Sequence, residues 1–408
     1  GSAPGVLNTV VSEREDATEH EDLVKIMLPR QGKIHANLRV GPNVAGCVPL
    51  SANRGLCAVG MKTIGSGFQI SEAKARDLGL GTVDGLDAHI RPYINGRDFT
   101  STRRGIYVID FFGLTRDEVQ TRFPAAYQHL LDTVKPERDH NRNRSFRETW
   151  WVIGHPRQEF RAFTKELDHY LVTVETMKHR VFGVMPASVT PDSTLVTFGL
   201  STPGALGVLS SRIHVAWALA TGGRLGMGND PRYNKTRCFE TFPFPEQNEA
   251  QARAIGDLAA RIDAHRKRQQ AAHADLTLTG MYNVLEKLRA EEALDAKEQA
   301  VHEHGLLSLL RELHDDLDRA VFAAYGWDDL ADRLVGRPGA TTPLPDRPAD
   351  QAEDEEALLT RLVDLNAQRA AEEVRGHVRW LRPDYQAGGA TQRGATLEQP
   401  EDTVPAAA

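Results

Sequence analysis

The residue composition of the chain changes at Pro245, and this change restricts the possible folds more than any single motif does. Before Pro245, short apolar runs are separated by Gly, Pro, Asp and Asn, which is typical of strands bounded by turns. After it, Gly and Pro become rare, and Ala, Leu, Glu and Arg dominate for about forty residues and again from Gly305. The sequence therefore predicts an α+β fold class, with a mixed, β-rich part followed by an α-helical part.

Apolar and aromatic runs predict the strands of the first part. These runs are GIYVIDFFG, TWWVIGH, YLVTV, HRVFGVM and STLVTFGL. Residues 1 to about 90, which precede them, are expected to form short strands and loops. Helices are expected between the runs. In TRDEVQTRFPAAYQHLLDTV, Thr115 is placed as an N-cap with Glu118 at the capping-box spacing. A further helix is expected over Ala205–Leu219, with an apolar stripe formed by Leu206, Leu209, Ile213 and Trp217.

Leucines at helical spacing predict amphipathic helices in the second part. One row is Leu306, Leu309, Leu310, Leu313, Leu317 and Val321, and another is Leu358, Leu362 and Leu365. Between the rows, RPGATTPLPDRPADQ is expected to be an extended, mobile linker. A chain of 408 residues exceeds the usual size of one core, which favours two or more domains. The predicted segments are a linker over 1–29, a mixed domain over 30–246, a helical domain over 247–385 and a disordered tail over 386–408.

Composition excludes several classes of protein. Hydrophobic residues make up 40% and charged residues 26%, as in soluble globular proteins. No run approaches the roughly 18 apolar residues that span a bilayer, so no membrane partner is expected. The cysteines, Cys47, Cys57 and Cys238, show no C-x-x-C pairing, which favours free thiols in the cytoplasm over disulfides or a zinc site.

The charge is unevenly distributed along the chain. The net charge of -7 does not by itself indicate nucleic-acid binding. However, Arg is concentrated between Arg91 and Arg237, as in RDHNRNRSFR and HPRQEFR, while acidic residues accumulate after Glu246, as in ADQAEDEEALL. The acidic average is therefore compatible with a basic face on the first part.

Motif searches predict no catalytic residues and no metal site. GSGF, residues 65–68, is too short for a dinucleotide fingerprint, and the sequence has no Walker A motif. Ser66 and Ser211 lie in no G-x-S-x-G elbow, and His302 and His304 lack the i, i+4 spacing of paired metal ligands. Two segments come closest to a nuclease site: VTPDSTLV, which lacks a following acidic-x-Lys, and DHNRN, which lacks further His partners.

Several segments, in their order along the chain, resemble one family. They are IRPYINGRDF, YVIDFFGLTRDEV, VKPER, RETWW, KHRVFGVMP, GVLSSRIHVAWALATG, GNDPRY and FETFPFP, followed by LTGMYNVLEKLR, LHDDLDRAVFAAYGWDDL and VRWLRPDYQ. Together they resemble the target-recognition and carboxy-terminal helical regions of the MmeI-type (type IIL) restriction enzymes and related class I DNA adenine methyltransferases. The resemblance covers roughly residues 30 to 385.

The resemblance implies that the catalytic machinery of such enzymes is absent from this chain. The family's methyltransferases carry a loop for S-adenosylmethionine and an Asn-Pro-Pro-Tyr or Asn-Pro-Pro-Phe motif, and this chain contains no Pro-Pro dipeptide. We therefore expect S-adenosylmethionine in a longer parent protein and no cofactor in this chain. Residues 1–29 would then link to a preceding methyltransferase domain, and the opening Gly-Ser is interpreted as a cloning remnant.

The segment GNDPRYNKTRCFETFPFP places polar side chains directly before a Phe-Pro anchor. Base edges in the major groove are distinguished by side chains with fixed donor and acceptor geometry, and a reading loop needs a rigid support. The resemblance assigns base reading to this loop. The candidates are Asn229, Asp230 and Arg232, with Arg224 and Met227 in addition. The alternative is a simple turn, with Asn229 capping it and Arg232 paired with a neighbouring acid.

Phosphate contacts are expected from Arg, Lys and His side chains other than the base-reading candidates. The candidates are Arg142, Arg144, Arg147, Lys178, His179, Arg180 and Lys235. The aromatic residues could stack on bases, but their strand-like neighbours favour core packing. They are Trp150, Trp151, Phe239, Phe242 and Phe244. In the helical part only AHRKRQQ, with a basic strip over His265–Arg268, favours contact with DNA. This part is therefore expected to act as a clamp or a brace.

The predicted function is sequence-specific recognition of double-stranded DNA for an adenine methyltransferase or a fused restriction-modification enzyme. The preceding methyltransferase domain of the parent protein is the second expected partner. Two alternatives stay open at this point. One is a free-standing DNA hydrolase or nuclease with an unrecognised site, and the other is a helical assembly scaffold whose amphipathic helices bind another chain.

Overall fold

The computed structural model describes residues 5–15, 23–32, 40–225, 230–344 and 346–389. Its sheets lie in the first part of the chain and its long helices in the second, so the predicted α+β class is confirmed. Within these residues no helix is both long and apolar enough to cross a membrane. The described chain begins with an antiparallel hairpin of β1 (Gly5–Glu15) and β2 (Leu23–Gly32).

Two four-stranded sheets form the framework of the first part. Their strands are β3 (Cys57–Val59), β4 (Gln69–Ser71), β5 (Ile90–Ile94), β6 (Ile106–Ile109), β7 (His169–Val174), β8 (Phe182–Pro186), β9 (Thr190–Pro191) and β10 (Leu195–Phe198). One sheet has the order β3-β10-β7-β8 and is antiparallel throughout. The other has the order β4-β6-β5-β9, in which only β5 and β9 run parallel. The runs GIYVIDFFG, YLVTV, HRVFGVM and STLVTFGL form strands as predicted.

The strand predicted for TWWVIGH was wrong, because this segment forms turns around a buried arginine. Arg138 is 1% exposed and donates hydrogen bonds to the carbonyl oxygens of Ile64 (2.8 Å), Thr63 (3.1 Å) and Val152 (3.3 Å). A side chain thus satisfies backbone groups that a sheet would otherwise pair. Trp150 is buried beside this turn, as expected for a core residue.

Short helices surround the sheets. They are α1 (Glu72–Asp77), α2 (Gly96–Thr100), α3 (Arg116–Arg122), α4 (Pro124–Thr133), α5 (Lys135–Asp139), α6 (Arg144–Glu148), α7 (Gln158–Thr164), α8 (Ala205–Ser210) and α9 (Arg212–Thr221). The capping box at Thr115 and Glu118 is confirmed, since each side chain bonds the other residue's backbone N–H. The predicted helix is nevertheless two helices, because Pro124 begins a new one.

The helix predicted over Ala205–Leu219 is also divided, at Ser211. The backbone N–H of Arg212 donates to Oδ1 of Asp318 at 2.7 Å, so a carboxylate from the second part of the chain satisfies the start of α9. All four residues of the predicted apolar stripe are buried.

A final small hairpin and one π-helical turn complete the first part. The hairpin consists of β11 (Gly223–Leu225) and β12 (Asp230–Arg232), and the turn spans Lys235–Phe239. The second part contains α10 (Glu249–Ala272), α11 (Leu278–Arg289), α12 (Ala296–Gly305), α13 (Leu307–Tyr325), α14 (Asp328–Leu334), α15 (Ala349–Val374) and α16 (Pro383–Gly389). Residues 390–408, in the predicted tail, lie outside the described residues.

At the start of α13, the buried leucine is not one of those that the sequence predicts. Leu306 and Leu309 are 50% and 40% exposed, whereas Leu307 is fully buried. Leu306 has positive φ and precedes the helix, so the buried row starts at Leu307. Its continuation through Leu310, Leu313, Leu317 and Val321 is buried as predicted, and so are Leu358 and Leu362.

The segment predicted as a mobile linker, residues 337–351, is fixed by hydrogen bonds to both parts. The backbone N–H of Gly339 donates to Glu286 at 2.6 Å, and the carbonyl of Thr341 accepts the backbone N–H of Arg180 at 2.7 Å. Ala340 and Thr341 are buried. The proline content indicated an extended segment, but these partners lie far away in sequence and left no local signal.

The two parts of the chain share a hydrophobic core. A cluster of buried side chains extends from Val44 to Leu362, and α8 packs directly on α10. A Cβ added at Gly207 of α8 would lie 2.3 Å from Cγ2 of Ile255 on α10, so this contact requires a glycine. The predicted domain boundary after residue 246 remains a prediction.

Candidate nucleic-acid interface

The small β11–β12 hairpin holds the candidate base-reading residues that the structure describes. Along β12 and the residues after it, exposure alternates: Asp230, Arg232 and Asn234 are exposed, and Pro231 and Tyr233 are buried. This is the period of an extended strand with one solvated face. Asp230 and Arg232 therefore project from the same exposed face of the hairpin.

The buried face of β12 is fixed by Tyr233. This side chain is 2% exposed, and its hydroxyl lies 3.0 Å from Nε2 of His214. Its ring meets Phe182 and Phe198 of the antiparallel sheet edge-on, at centroid distances of 5.8 and 5.7 Å. Packed aromatic rings and a buried hydrogen bond restrict the position of the backbone to which Arg232 belongs.

A buried arginine joins the hairpin to the end of β7. Arg180 is 2% exposed; it donates hydrogen bonds to the carbonyl oxygens of Val174 and Pro231, the second at 3.0 Å. Its guanidinium carbon lies 5.2 Å from the centroid of Tyr233. Burial lowers the pKa of Arg180 to about 10, so it remains charged at neutral pH. The backbone N–H of Tyr233 also donates to the carbonyl of Glu175 at 2.7 Å.

His179 and Arg180 are therefore not surface cations, and the prediction that they contact phosphate was wrong. His179 is 1% exposed; its Nδ1 lies 3.0 Å from Oγ1 of Thr341 and its Nε2 lies 2.9 Å from Oδ1 of Asn283. Burial lowers its pKa, which favours the neutral imidazole. Side chains withdrawn from solvent in this way cannot reach a phosphate; both instead support the hairpin from inside.

The predicted Phe-Pro anchor is buried. Cys238, Phe239 and Phe242 are completely inaccessible to solvent. The side-chain amide of Asn53 donates to the carbonyl oxygens of Phe239 and Phe242 at 2.8 and 2.7 Å, so it holds the segment on both sides of Thr241. As expected, these aromatic rings form the core and do not provide an exposed stacking surface, and Trp151 and Phe244 are half-buried against it.

The base-reading candidates have different surroundings. Arg232 forms an ion pair with Glu175, with 2.7 Å between Nη2 and Oε1. Such a pair was expected under the alternative interpretation, in which the loop is a simple turn. The arginine side chain is nevertheless 47% exposed, and an ion pair open to water contributes little and exchanges readily. Arg224 and Asp230 are exposed on facing strands of the hairpin. Asn229 and Met227 lie outside the described residues.

The remaining phosphate candidates occupy two regions. Arg142, Arg144 and Arg147 lie in and before α6. Arg144 pairs with Glu148 at 2.6 Å, and Nη1 of Arg147 donates to the carbonyl of Arg142 at 3.1 Å. Arg142 and Arg144 are exposed, and Arg147 is half-buried.

Lys178 and Lys235 lie closer to the hairpin along the chain. Lys178 is exposed and donates to Asn283 at 2.6 Å, and Lys235 is paired with Glu159 at 3.2 Å. Lys178 directly follows Met177, whose backbone N–H donates to the carbonyl of Pro231 at 3.3 Å. The backbone before Lys178 therefore contacts the hairpin, while its ammonium group is bonded to Asn283 of α11.

The basic strip predicted over His265–Arg268 lies half inside the protein, so its prediction as a groove contact was wrong for two of its members. His265 and Arg266 are buried, and Arg266 donates to the carbonyl of Phe182 at 2.6 Å and to the hydroxyl of Tyr282 at 3.1 Å. Lys267 donates to the carbonyl of Val184 at 2.8 Å. Helix α10 therefore holds β8, the strand against which Tyr233 packs, in agreement with the bracing role expected for the helical part.

In comparisons with known proteins, residues 50–246 match the family model described as the MmeI target recognition domain. A solved structure of the type IIL restriction-modification enzyme MmeI in complex with DNA matches 85% of this chain with a TM-score of 0.57 and 18% identity. DNA methyltransferase A of Bacillus subtilis (strain 168) is 37% identical over 71 residues, which is 17% of this chain. The resemblance stated from the sequence is confirmed by the family model and the structural match.

The matched proteins are longer than this chain. The chain covers 40% of the MmeI structure and 8% of the B. subtilis methyltransferase. At 18% identity the structural match establishes a shared fold that extends beyond the target recognition domain into the helical part. It does not transfer individual contacts.

Proposed function

We propose that this chain, whose residues 50–246 belong to the MmeI target recognition domain family, is the sequence-specific DNA-recognition portion of an adenine DNA methyltransferase or fused restriction-modification enzyme. The observation that carries the proposal is the construction of the β11–β12 hairpin. Polar side chains are exposed on one of its faces, and Tyr233 and Arg180 fix the other face inside the protein.

Base recognition follows from the chemistry of the exposed face. Arg232 supplies the planar pair of donors that matches O6 and N7 of guanine, and Asp230 supplies an acceptor for the amino group of cytosine. Arg224 lies on the neighbouring strand. Met227 and Asn229, which lie outside the described residues, belong to the same proposed reading set. In this mechanism Glu175 holds Arg232 in place before DNA binds, and the base edge replaces the carboxylate.

Positioning on the duplex is assigned to cations that are exposed or half-buried. Arg142, Arg144, Arg147, Lys178 and Lys235 are the proposed phosphate contacts, because phosphate is bound mainly by Arg, Lys and small polar groups. The helical part acts indirectly, since Arg266 and Lys267 of α10 hold β8 and so keep the hairpin's support rigid.

The proposed chemistry takes place in another part of a longer protein. S-adenosylmethionine would bind to a methyltransferase domain preceding this chain, and that domain would extrude the adenine from the stack. The residues of this chain bind and orient the DNA, and methyl transfer by this chain alone is not expected.

Binding measurements on randomised DNA test the proposal. Fluorescence anisotropy at two salt concentrations, followed by sequencing of the selected duplexes, should show tight, salt-dependent binding and an enriched motif. Strong salt dependence with no motif would leave only non-specific affinity. Metal-dependent cleavage of the duplex would favour the nuclease alternative, and no affinity for DNA would favour the helical assembly scaffold.

A further inference from the structure

Two imidazoles and one carboxylate meet where α10 ends beside α12. His273 is the residue that caps the end of α10, Asp275 lies in the following turn, and His304 lies in the last turn of α12. One ligand atom from each side chain can be chosen so that all three atoms lie within 4.8 Å of one another. Within the described residues, no other group of three His, Cys, Asp or Glu side chains is arranged in this way.

The backbone on both sides of the cluster is fixed by contacts that involve none of its three side chains. Nε2 of His265, two turns before the end of α10, donates to the carbonyl of Gly305 at 2.8 Å, which joins α10 to the last residue of α12. Leu276, directly after Asp275, is 2% exposed, and its backbone N–H donates to the carbonyl of His273 at 3.0 Å. The three side chains are therefore presented from a rigid frame, as ligands of a metal ion must be.

All three side chains are of types that bind metal ions, and they form no hydrogen bonds with one another. The rings of His273 and His304 are stacked, with centroids 4.2 Å apart and planes inclined by 6°. Nδ1 of His304 is buried and has no hydrogen-bond partner, and it lies 3.9 Å from Oδ2 of Asp275, beyond hydrogen-bond distance. Imidazole nitrogen is the commonest metal ligand among protein side chains.

The spacing suits one small ion after limited side-chain rotation. Zinc binds imidazole nitrogen and carboxylate oxygen at about 2.0 to 2.2 Å in tetrahedral geometry, which sets ligand atoms about 3.3 Å apart. His304 and Asp275 are 43% and 68% exposed, so their side chains can rotate inward without disturbing the core. Three protein ligands leave the fourth position of a tetrahedral ion to water.

We propose that His273, Asp275 and His304 form a site for a divalent transition-metal ion, with zinc as the favoured ion. Two imidazoles and a carboxylate form a donor set common to zinc sites, and calcium and magnesium prefer oxygen ligands alone. The bound ion cross-links the end of α10 to the end of α12. Because α10 braces β8, the ion stabilises the helical support of the hairpin; the proposal does not depend on DNA recognition.

Isothermal titration of the full, metal-free chain with zinc chloride tests the site. One equivalent should bind, and His273→Ala, Asp275→Asn and His304→Ala should each weaken binding more than tenfold, because each removes one of three ligands. His302→Ala is the matched control: this histidine lies on the same helix, outside the cluster, with its Nε2 3.1 Å from Oγ of Ser308. Its affinity for zinc should equal that of the unmodified chain.

Thermal unfolding gives an independent readout. Excess zinc should raise the midpoint of the unmodified chain and of His302→Ala, because an ion that binds only the folded state stabilises it. The His304→Ala variant should show no such rise, and without zinc its midpoint should match that of the unmodified chain. Absence of zinc binding, or equal binding by a His273→Ala, His304→Ala double variant, would overturn the proposal and leave only two stacked histidines beside a surface carboxylate.

Discussion

The buried guanidinium of Arg180 donates a 3.0 Å hydrogen bond to the carbonyl oxygen of Pro231, which lies between the two exposed candidates of the reading hairpin, Asp230 and Arg232. The residue that Arg180 supports from inside the protein is therefore the direct neighbour in sequence of both proposed base-reading residues. A position that contacts no DNA in the proposed complex should nevertheless affect which sequence the protein selects.

Replacing Arg180 by Met should destabilise the protein and weaken its sequence preference. The carbonyl of Val174 would lose a buried donor, and that of Pro231 would keep only the backbone N–H of Met177 at 3.3 Å. Loss of a hydrogen bond from a charged group costs about 1.5 to 3 kcal/mol. The free energy of unfolding in urea should fall by about 2 to 4 kcal/mol. Arg142→Met, at an exposed position, is the control and should unfold like the unmodified chain. Equal stability of both variants would contradict the supporting role of Arg180.

Replacing Arg232 by Ala should remove discrimination at one base pair of the selected motif. A bidentate contact to a base contributes about 1 to 3 kcal/mol of discrimination, so the preference should flatten at that position while the other positions stay selective. Selection sequencing of bound duplexes measures this. Arg237→Ala, an exposed arginine of the following turn, is the control. An unchanged motif for Arg232→Ala would remove this residue from the reading set.

Replacing Arg144 by Ala should reduce the salt dependence of DNA binding without altering the motif. Each phosphate contact contributes about 0.9 to the slope of log affinity against log salt, because counterions are released. Arg253→Ala is a matched control, since both arginines are exposed and pair with a glutamate four residues away. The slope should fall for Arg144→Ala alone; equal slopes for the two variants would exclude a phosphate contact at α6.

Protonation of His214 should destabilise the protein in acid. Burial, with the nearby charge of Arg180 in addition, lowers the pKa of His214 to about 3, against an ordinary value of about 6.5. Between these values the unfolded chain binds a proton that the folded chain does not, so stability is lost as pH falls below 6.5. For this group the loss between pH 7 and pH 5 is about 2 kcal/mol.

The titration of His214 is separable from that of other buried groups. Asp318, whose pKa burial raises to about 6, acts in the opposite direction, because its folded form binds the proton first as the pH falls. His214→Gln, which has no titratable group, should therefore show a smaller loss of stability between pH 7 and pH 5 than the unmodified chain. His140→Gln, at an exposed position, should retain the full loss. Urea titrations at both pH values decide between these outcomes.

Local features of the fold could be predicted from the sequence, and contacts between distant residues could not. The Thr115 capping box, four of the strands and the buried anchor from Cys238 to Phe242 depend on neighbouring residues, so their patterns are visible in the sequence. Arg180 was misassigned because its partner Pro231 lies 51 residues away in the sequence. The residues next to Arg180 do not distinguish a buried arginine from an exposed one. Asn53 and Glu175 were missed for the same reason.

The junction between the two parts supplies a further test, because α8 and α10 approach each other closely at Gly207. A Cβ there would lie 2.3 Å from Cγ2 of Ile255 and 2.9 Å from its carbonyl oxygen, so the helices must move apart to admit alanine. Overpacking of this kind costs about 1 to 3 kcal/mol. Gly207→Ala should therefore lower the free energy of unfolding by that amount.

Gly280→Ala on α11 is the matched control for Gly207→Ala, because a Cβ there would approach only Oγ1 of Thr277, at 3.1 Å. A shift of a few tenths of an ångström relieves this contact and keeps the capping hydrogen bond from the N–H of Gly280 to the same oxygen. Alanine is the better helix former by up to about 1 kcal/mol, so this variant should be as stable as the unmodified chain or more stable. Since α10 also holds β8 under the hairpin, Gly207→Ala should broaden the selected DNA motif as well as lower the urea midpoint. A Gly207→Ala variant as stable as Gly280→Ala would mean that the two parts pack loosely and that α10 does not brace the hairpin.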